Sequence, residues 1–196
     1  CNDFTRLTCN TIAINNQMGA FQAIEYLTKM GHTRIGYLRG HIRISSFMER
    51  QSGYESALAY FGLGFQDSDI ITLHYTEESS YRDMKQYLEH SRSTPLPTAF
   101  VSDDDTIAVG ALRALTEQGY RVPEDVSIVG FNDRPTCEVT IPPLTSINVY
   151  QSEPAIESVD ELLRLIQSQP QNNPEPRSRK IRIGTKLVVR QSVARI

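Results

Sequence analysis

Residues Pro97 to Asp133 read PTAFVSDDDTIAVGALRALTEQGYRVPEDVSIVGFND, and the order of residue types along this stretch decides the fold. Pro97-Thr-Ala-Phe-Val101 is a short apolar run of strand type that leads into Asp103, Asp104 and Asp105. From Thr106 to Gln118 the apolar residues Ile107, Ala111, Leu112 and Leu115 recur at helical spacing, which predicts a helix with one inward face. Val126-Ser-Ile-Val-Gly-Phe131 returns to β-branched and aromatic residues and is the strongest strand signal in the chain. Strand, helix and strand in this order make a parallel βαβ unit.

The alternation extends outward on both sides. Upstream, Thr11–Ile14 reads as a strand, Asn16 offers an N-cap, and Ala20, Ile24, Leu27 and Met30 form a helical stripe that Gly31 stops. Arg34–Leu38 is the next strand, and a helix is predicted from about Ser46 to Phe61, with Tyr54, Ala57 and Leu58 on one face. Ile70–Tyr75 is strand-like and a polar helix follows over about Ser79–Glu89. Downstream, Ile141-Pro-Pro-Leu-Thr145 breaks the regularity. A long helix over Ser152–Gln167 carries the stripe Ala155, Val159, Leu162, Leu163 and Ile166. The proline-bearing segment Gln169–Arg179 reads as a linker, and a last strand is predicted over about Lys180–Val189.

Such a chain builds a mostly parallel sheet covered on both faces, and ligands on these sheets bind beyond the carboxyl ends of the strands. That rule directs attention to Asn15-Asn16, His41 to Arg50, Tyr75, Asp103 to Asp105, and Phe131 to Arg134.

Composition narrows the function classes. At 196 residues, 39% hydrophobic and 22% charged, the chain can bury one good core or two smaller ones. A net charge of −3 argues against a segment that grips nucleic acid by itself. Its densest basic cluster, Arg177, Arg179, Lys180 and Arg182, reads better as a solvated strand edge. Cys1, Cys9 and Cys137 have neither a disulfide pattern nor metal-site spacing, which fits a reducing cytoplasm. No apolar run has transmembrane length, and a start at Cys-Asn-Asp in place of Met suggests a fragment.

The chemistry of the common enzymes is missing from the motifs. There is no phosphate-cradling glycine loop, no dinucleotide fingerprint and no Gly-x-Ser-x-Gly elbow. His32, His41, His74 and His90 are scattered without zinc-ligand spacing and read as turn, loop or surface residues. Asp103-Asp104-Asp105 could cap the following helix, whose free N–H groups favour an acid, or one of them could meet a ligand. No catalytic residue, metal or cofactor is expected.

Several stretches resemble the lactose-repressor/galactose-repressor family of transcription regulators. Met30-Gly-His-Thr-Arg-Ile-Gly-Tyr37, Arg50-Gln-Ser-Gly-Tyr54, Pro97 to Asp105 with Ala108-Val-Gly-Ala111, Val122 to Asp133 with Pro142-Pro-Leu-Thr145, and Leu187-Val-Val-Arg-Gln-Ser192 occur in the family's order over nearly the whole chain. The Val122–Asp133 block is the most specific. The resemblance implies a periplasmic-binding-protein-like type I fold of two doubly wound parallel-sheet lobes, the first incomplete in this chain. Residues 1–14 would end the first lobe, 15–148 would form the second, 149–188 would return to the first, and 189–196 would be a crossover tail.

The resemblance also implies a non-enzymatic sensor: the effector-binding and dimerisation part of a cytoplasmic, sugar-responsive repressor. Its partners would be a small sugar effector, a second copy of the chain, and operator DNA through a headpiece outside this sequence, with no membrane. The helices flanking Tyr54 and Leu112 are candidates for the dimer surface. A periplasmic sugar-binding protein of a transport system shares the fold and is the alternative. Arg50 matches the family's effector-binding arginine, and its forked donors suit vicinal hydroxyls or a carboxylate, although a surface ion pair is the plainer reading. Ser46 lies on the same loop. Tyr75 falls where an aromatic platform is frequent, with a core tyrosine as the other reading. Asn132 stands where many members have aspartate, Asp104 where many have asparagine, and Asn15 where an aspartate is frequent. Val149-Tyr150 departs from the polar residue often found after Pro-Pro-Leu-Thr.

Overall fold

The computed structural model describes residues 8–91, 95–167 and 178–196. In chain order the elements are β1 (Thr11–Ile14), α1 (Asn16–Lys29), β2 (Ile35–Gly40), α2 (Ser45–Tyr60), β3 (Ile70–Leu73), α3 (Glu77–His90), β4 (Ala99–Ser102) and α4 (Asp105–Glu117). They continue with β5 (Ser127–Asn132), α5 (Thr136–Val139), β6 (Thr145–Asn148), α6 (Ser152–Gln167), β7 (Lys180–Ile183) and β8 (Lys186–Val188). Cys1 and Arg177 lie outside the described residues, as does most of the linker Gln169–Arg179.

Two sheets result. The larger has six strands in the order β3-β2-β4-β5-β6-β8, parallel except for the antiparallel edge β8. The smaller is a parallel pair, β1 with β7. The order 3-2-4-5 places β2 and β4 side by side, so successive crossovers put α1 and α2 on one face and α3 and α4 on the other. Alternate residues of each strand serve the two faces. Ile35, Tyr37, Ala99, Val101, Val129 and Phe131 join Ile24, Leu27, Tyr54 and Leu58 of α1 and α2. Leu38, Phe100 and Ile128 join Met84, Leu88, Ile107, Ala111, Leu112 and Leu115 of α3 and α4. The expected doubly wound architecture is therefore present in the large sheet.

Local chemistry explains most boundaries. Asn15, one residue before the expected cap, closes α1 by accepting from the Met18 N–H at 3.2 Å. Gly31 ends that helix at φ 101°, where a side chain would strike the Ile196 carbonyl. Thr76 and Ser79 form a capping box for α3. Asp104 caps α4 by accepting from the Thr106 N–H at 2.8 Å.

Three expectations are corrected. The single last strand is two: Lys180–Ile183 pairs with β1 and Lys186–Val188 with β6, with Gly184-Thr185 between them where the chain changes sheet. Ser46 lies in the first turn of α2 and not on a loop. Among the described residues the stripe of α6 faces no core: Val159, Leu162, Leu163 and Ile166 are exposed, and the helix buries only Glu161, held by Asn10, Arg164 and Arg179. The elements α5 and β6 were not anticipated.

Candidate effector-binding site

The carboxyl ends of β1, β2, β3, β4 and β5 open on one side of the molecule, and a connected set of polar side chains gathers there. Arg50, on α2, is buried to 6% relative exposure. Its Nε donates to Asn16 Oδ1 at 3.0 Å, one terminal nitrogen donates to the Asp103 carbonyl, and the other to Asn132 Oδ1 at 3.1 Å. The guanidinium carbon sits 3.8 Å from the centroid of the Phe131 ring. A charge so far from water needs such a set of acceptors and a π-face, since desolvation alone would disfavour it.

Asn132 ends β5 at φ 104° and Asp133 follows at φ 54°, a bend that turns both side chains toward the strand ends. The Asn132 amide donates to Asp104 Oδ2. Tyr75 donates to the same oxygen at 3.2 Å, and Arg134 donates to the Tyr75 hydroxyl at 3.1 Å and to Asp104 Oδ2 at 3.4 Å. Asp104 thus caps α4 through one oxygen and faces the cluster through the other. The Tyr75 ring lies 5.7 Å from that of Phe47, next to the buried Arg50.

The flanking acids turn inward. Asp103 accepts from the Tyr37 hydroxyl at 2.5 Å and the Gly40 N–H at 2.7 Å, and Asp105 from Ser146 at 2.6 Å and the Arg134 N–H at 2.8 Å. Burial pushes each of these carboxyls up to about 6, against the pull of those donors. Asp105 fits because Gly130 lies above it; a Cβ there would come within 2.2 Å of its Oδ1. Behind the loop, Arg190 reaches Asp133 at 2.7 Å and Asn148 donates to Asp133 at 2.8 Å, so the tail anchors the bend.

Of the residues singled out from sequence, the structure brings Arg50, Asn132, Asp104 and Tyr75 into one hydrogen-bonded set. Asn15 serves as the α1 cap and Ser46, half-buried, takes no part in the network. Asn16, expected as the α1 cap, and Arg134, expected only as part of the segment Phe131 to Arg134, also belong to it. The strand-end rule could have found both, since each follows the carboxyl end of a strand. Among the described basic residues of the 177–182 cluster, Arg179 pairs with Glu161, Arg182 pairs with Glu49, and Lys180 donates to the Cys9 carbonyl. Among the described residues no group of His, Cys, Asp or Glu could hold a metal, and no helix is long and apolar enough to cross a membrane.

Residues 24–193 match the periplasmic binding protein-like domain family. The chain belongs to this family, within the lactose-repressor/galactose-repressor regulators. It is 31% identical over 190 residues to the ribose operon repressor of Haemophilus influenzae, covering 97% of this chain and 55% of that protein. It is 30% identical to the probable transcriptional repressor ExuR of Bacillus subtilis over 99% of this chain and 56% of that one. Among solved structures it superposes on the lac repressor dimer bound to operator and the anti-inducer ONPF with a TM-score of 0.84 at 28% identity, covering 96% of this chain and 62% of that one. The chain therefore spans little more than half the length of these curated relatives.

Proposed function

We propose that this chain is the effector-sensing and dimerising part of a sugar-responsive transcription repressor. One observation carries the reading: a nearly buried arginine from α2, an amide at the end of β5, and a carboxylate and a tyrosine from the connections after β4 and β3 converge at the carboxyl ends of a doubly wound sheet. Hydroxyls of a small sugar are both donors and acceptors, and this set offers both: guanidinium and amide N–H groups on one side, Asp104 and Tyr75 on the other. The Tyr75 and Phe47 rings supply an apolar wall. The pair β1–β7 with α6 belongs, in this reading, to a first lobe that closes over the ligand.

The protein acts as a cytoplasmic dimer, and a ligand that prefers one lobe arrangement shifts the population of two states. A preference worth roughly 1–3 kcal/mol changes operator affinity about 5–150-fold. Operator contact is made by a part of the protein outside this sequence. The test is calorimetric titration of the intact regulator with a panel of sugars, beside Arg50→Ala. Affinity should fall about 10- to 150-fold in the variant, the loss of a charge-assisted hydrogen bond. Sugar binding indifferent to Arg50, with the fold retained, removes the site assignment.

A further inference from the structure

Arg134 is held differently from Arg50. It follows the bend at the end of β5, and its backbone N–H is pinned from below by Asp105. Its side chain is 41% exposed, so it borders the open side of the cluster where Arg50 lies beneath. One terminal nitrogen makes both of its side-chain hydrogen bonds, to the Tyr75 hydroxyl and to Asp104. Its Nε–H is buried without a hydrogen-bond partner. A buried donor left unpaired calls for an acceptor that arrives with something else.

The acids nearby do not fill that role. Asp104 Oδ2 already receives the Asn132 amide and the Tyr75 hydroxyl, and the Arg134 contact, at 3.4 Å, is the longest of the three. The other Asp104 oxygen is spent on the α4 cap. Asp103 is held by Tyr37 and Gly40, and Asp105 by Ser146, the Arg134 N–H and the Cys137 thiol. Arg50 meets only neutral oxygens: two side-chain amides and one main-chain carbonyl.

We propose that Arg134 reads an anionic group on the effector, so that the site takes an acidic sugar, a polyol bearing a carboxylate or phosphate, in preference to its neutral parent. This rests on the effector-binding reading above. A guanidinium with unpaired N–H groups matches the paired oxygens of either anion. The incoming oxygens satisfy the orphaned donor and relieve the crowded Asp104 oxygen.

The intact regulator is titrated with galactose and galacturonate, glucose and glucuronate, and glucose 6-phosphate. At least one acid should bind more than tenfold tighter than its neutral parent. A uronate response assigns the carboxylate, and a response to glucose 6-phosphate alone assigns the phosphate. Arg134→Gln should lower acid affinity about 10- to 150-fold, a larger loss than for the neutral parent, with Arg134→Lys recovering part of it. Unchanged thermal unfolding of both variants separates this from misfolding. Neutral sugars that bind as well as acids, lost with Arg50→Ala but not with Arg134→Gln, overturn the inference and leave the effector site standing. A panel in which nothing binds overturns both.

Discussion

Helices α4 and α6 carry equally clear apolar stripes, yet the structure treats them in opposite ways. In α4, Ile107, Ala111 and Leu115 are fully buried between the six-stranded sheet and α3. In α6, Val159, Leu162 and Ile166 are 56%, 57% and 69% exposed, and among the described residues no element covers them. Periodicity states that a helix has an apolar face; it carries no information about what lies opposite. For α4 the cover is within reach, because strands on both sides of it in sequence build the sheet it packs on. For α6 the local partners are the two short strands β1 and β7. One buried acid, Glu161, joins it to them through Arg179 and Asn10.

The largest expected effect lies on the α4 side. Leu115→Ala removes a fully buried side chain from the core shared by α3, α4 and the sheet. It should cost about 2–5 kcal/mol by urea denaturation, the range for a cavity that neighbours only partly fill. A loss below about 1 kcal/mol would mean that this core is loosely packed and that the contrast with α6 is one of degree.

How far each region is legible follows from the same difference. The doubly wound sheet could be read because its strands are apolar on both faces and its helices amphipathic, so pattern and packing agree. The site could be located because open α/β sheets place ligands beyond the strand ends, and Arg50, Tyr75, Asp104 and Asn132 all fall there. The details resting on backbone geometry were not legible. Asn15 and Asn16 are both plausible caps, and only the coordinates distinguish the one that closes α1 from the one that holds Arg50. Thr145–Asn148 is too short and too polar to read as a strand, yet β5 and β8 on either side make it one. The role of Arg134 depends on the positive φ values at Asn132 and Asp133, which no residue pattern announces.

A second contrast is electrostatic. In the large sheet, Asp103 is raised by burial from an ordinary 3.8 to about 6. The native state therefore holds a proton that the unfolded chain has released. This stability contribution is complete below about pH 4 and is lost as pH rises through 6. Asp105 has the same sign. His32, lowered by burial, opposes them over part of that window, since it resists the proton that the unfolded chain accepts. At α6 the sign is reversed: Arg164, then Arg179, hold Glu161 below its ordinary 4.5, so its contribution is lost at lower pH. Asp103→Asn should therefore remove about 1 kcal/mol of the stability gained between pH 7 and pH 5, read as the variant-minus-parent difference in denaturation midpoints across that range. A difference independent of pH would show that Asp103 stays ionised in the native state.

The smallest expected effect tests the exposed stripe directly. Leu162→Ala in this chain removes a side chain already 57% exposed, so stability should change by no more than about 0.5 kcal/mol. The informative measurement is the same substitution in the intact regulator. If a first lobe packs on α6 there, Leu162 becomes a core residue and its truncation should cost about 2–5 kcal/mol, as at Leu115. An equally small effect in both proteins would mean that the stripe is uncovered in the intact monomer as well. A fold that closes its core over α4 and leaves α6 open in the longer protein would then need a partner, and the loss would appear as a concentration-dependent midpoint.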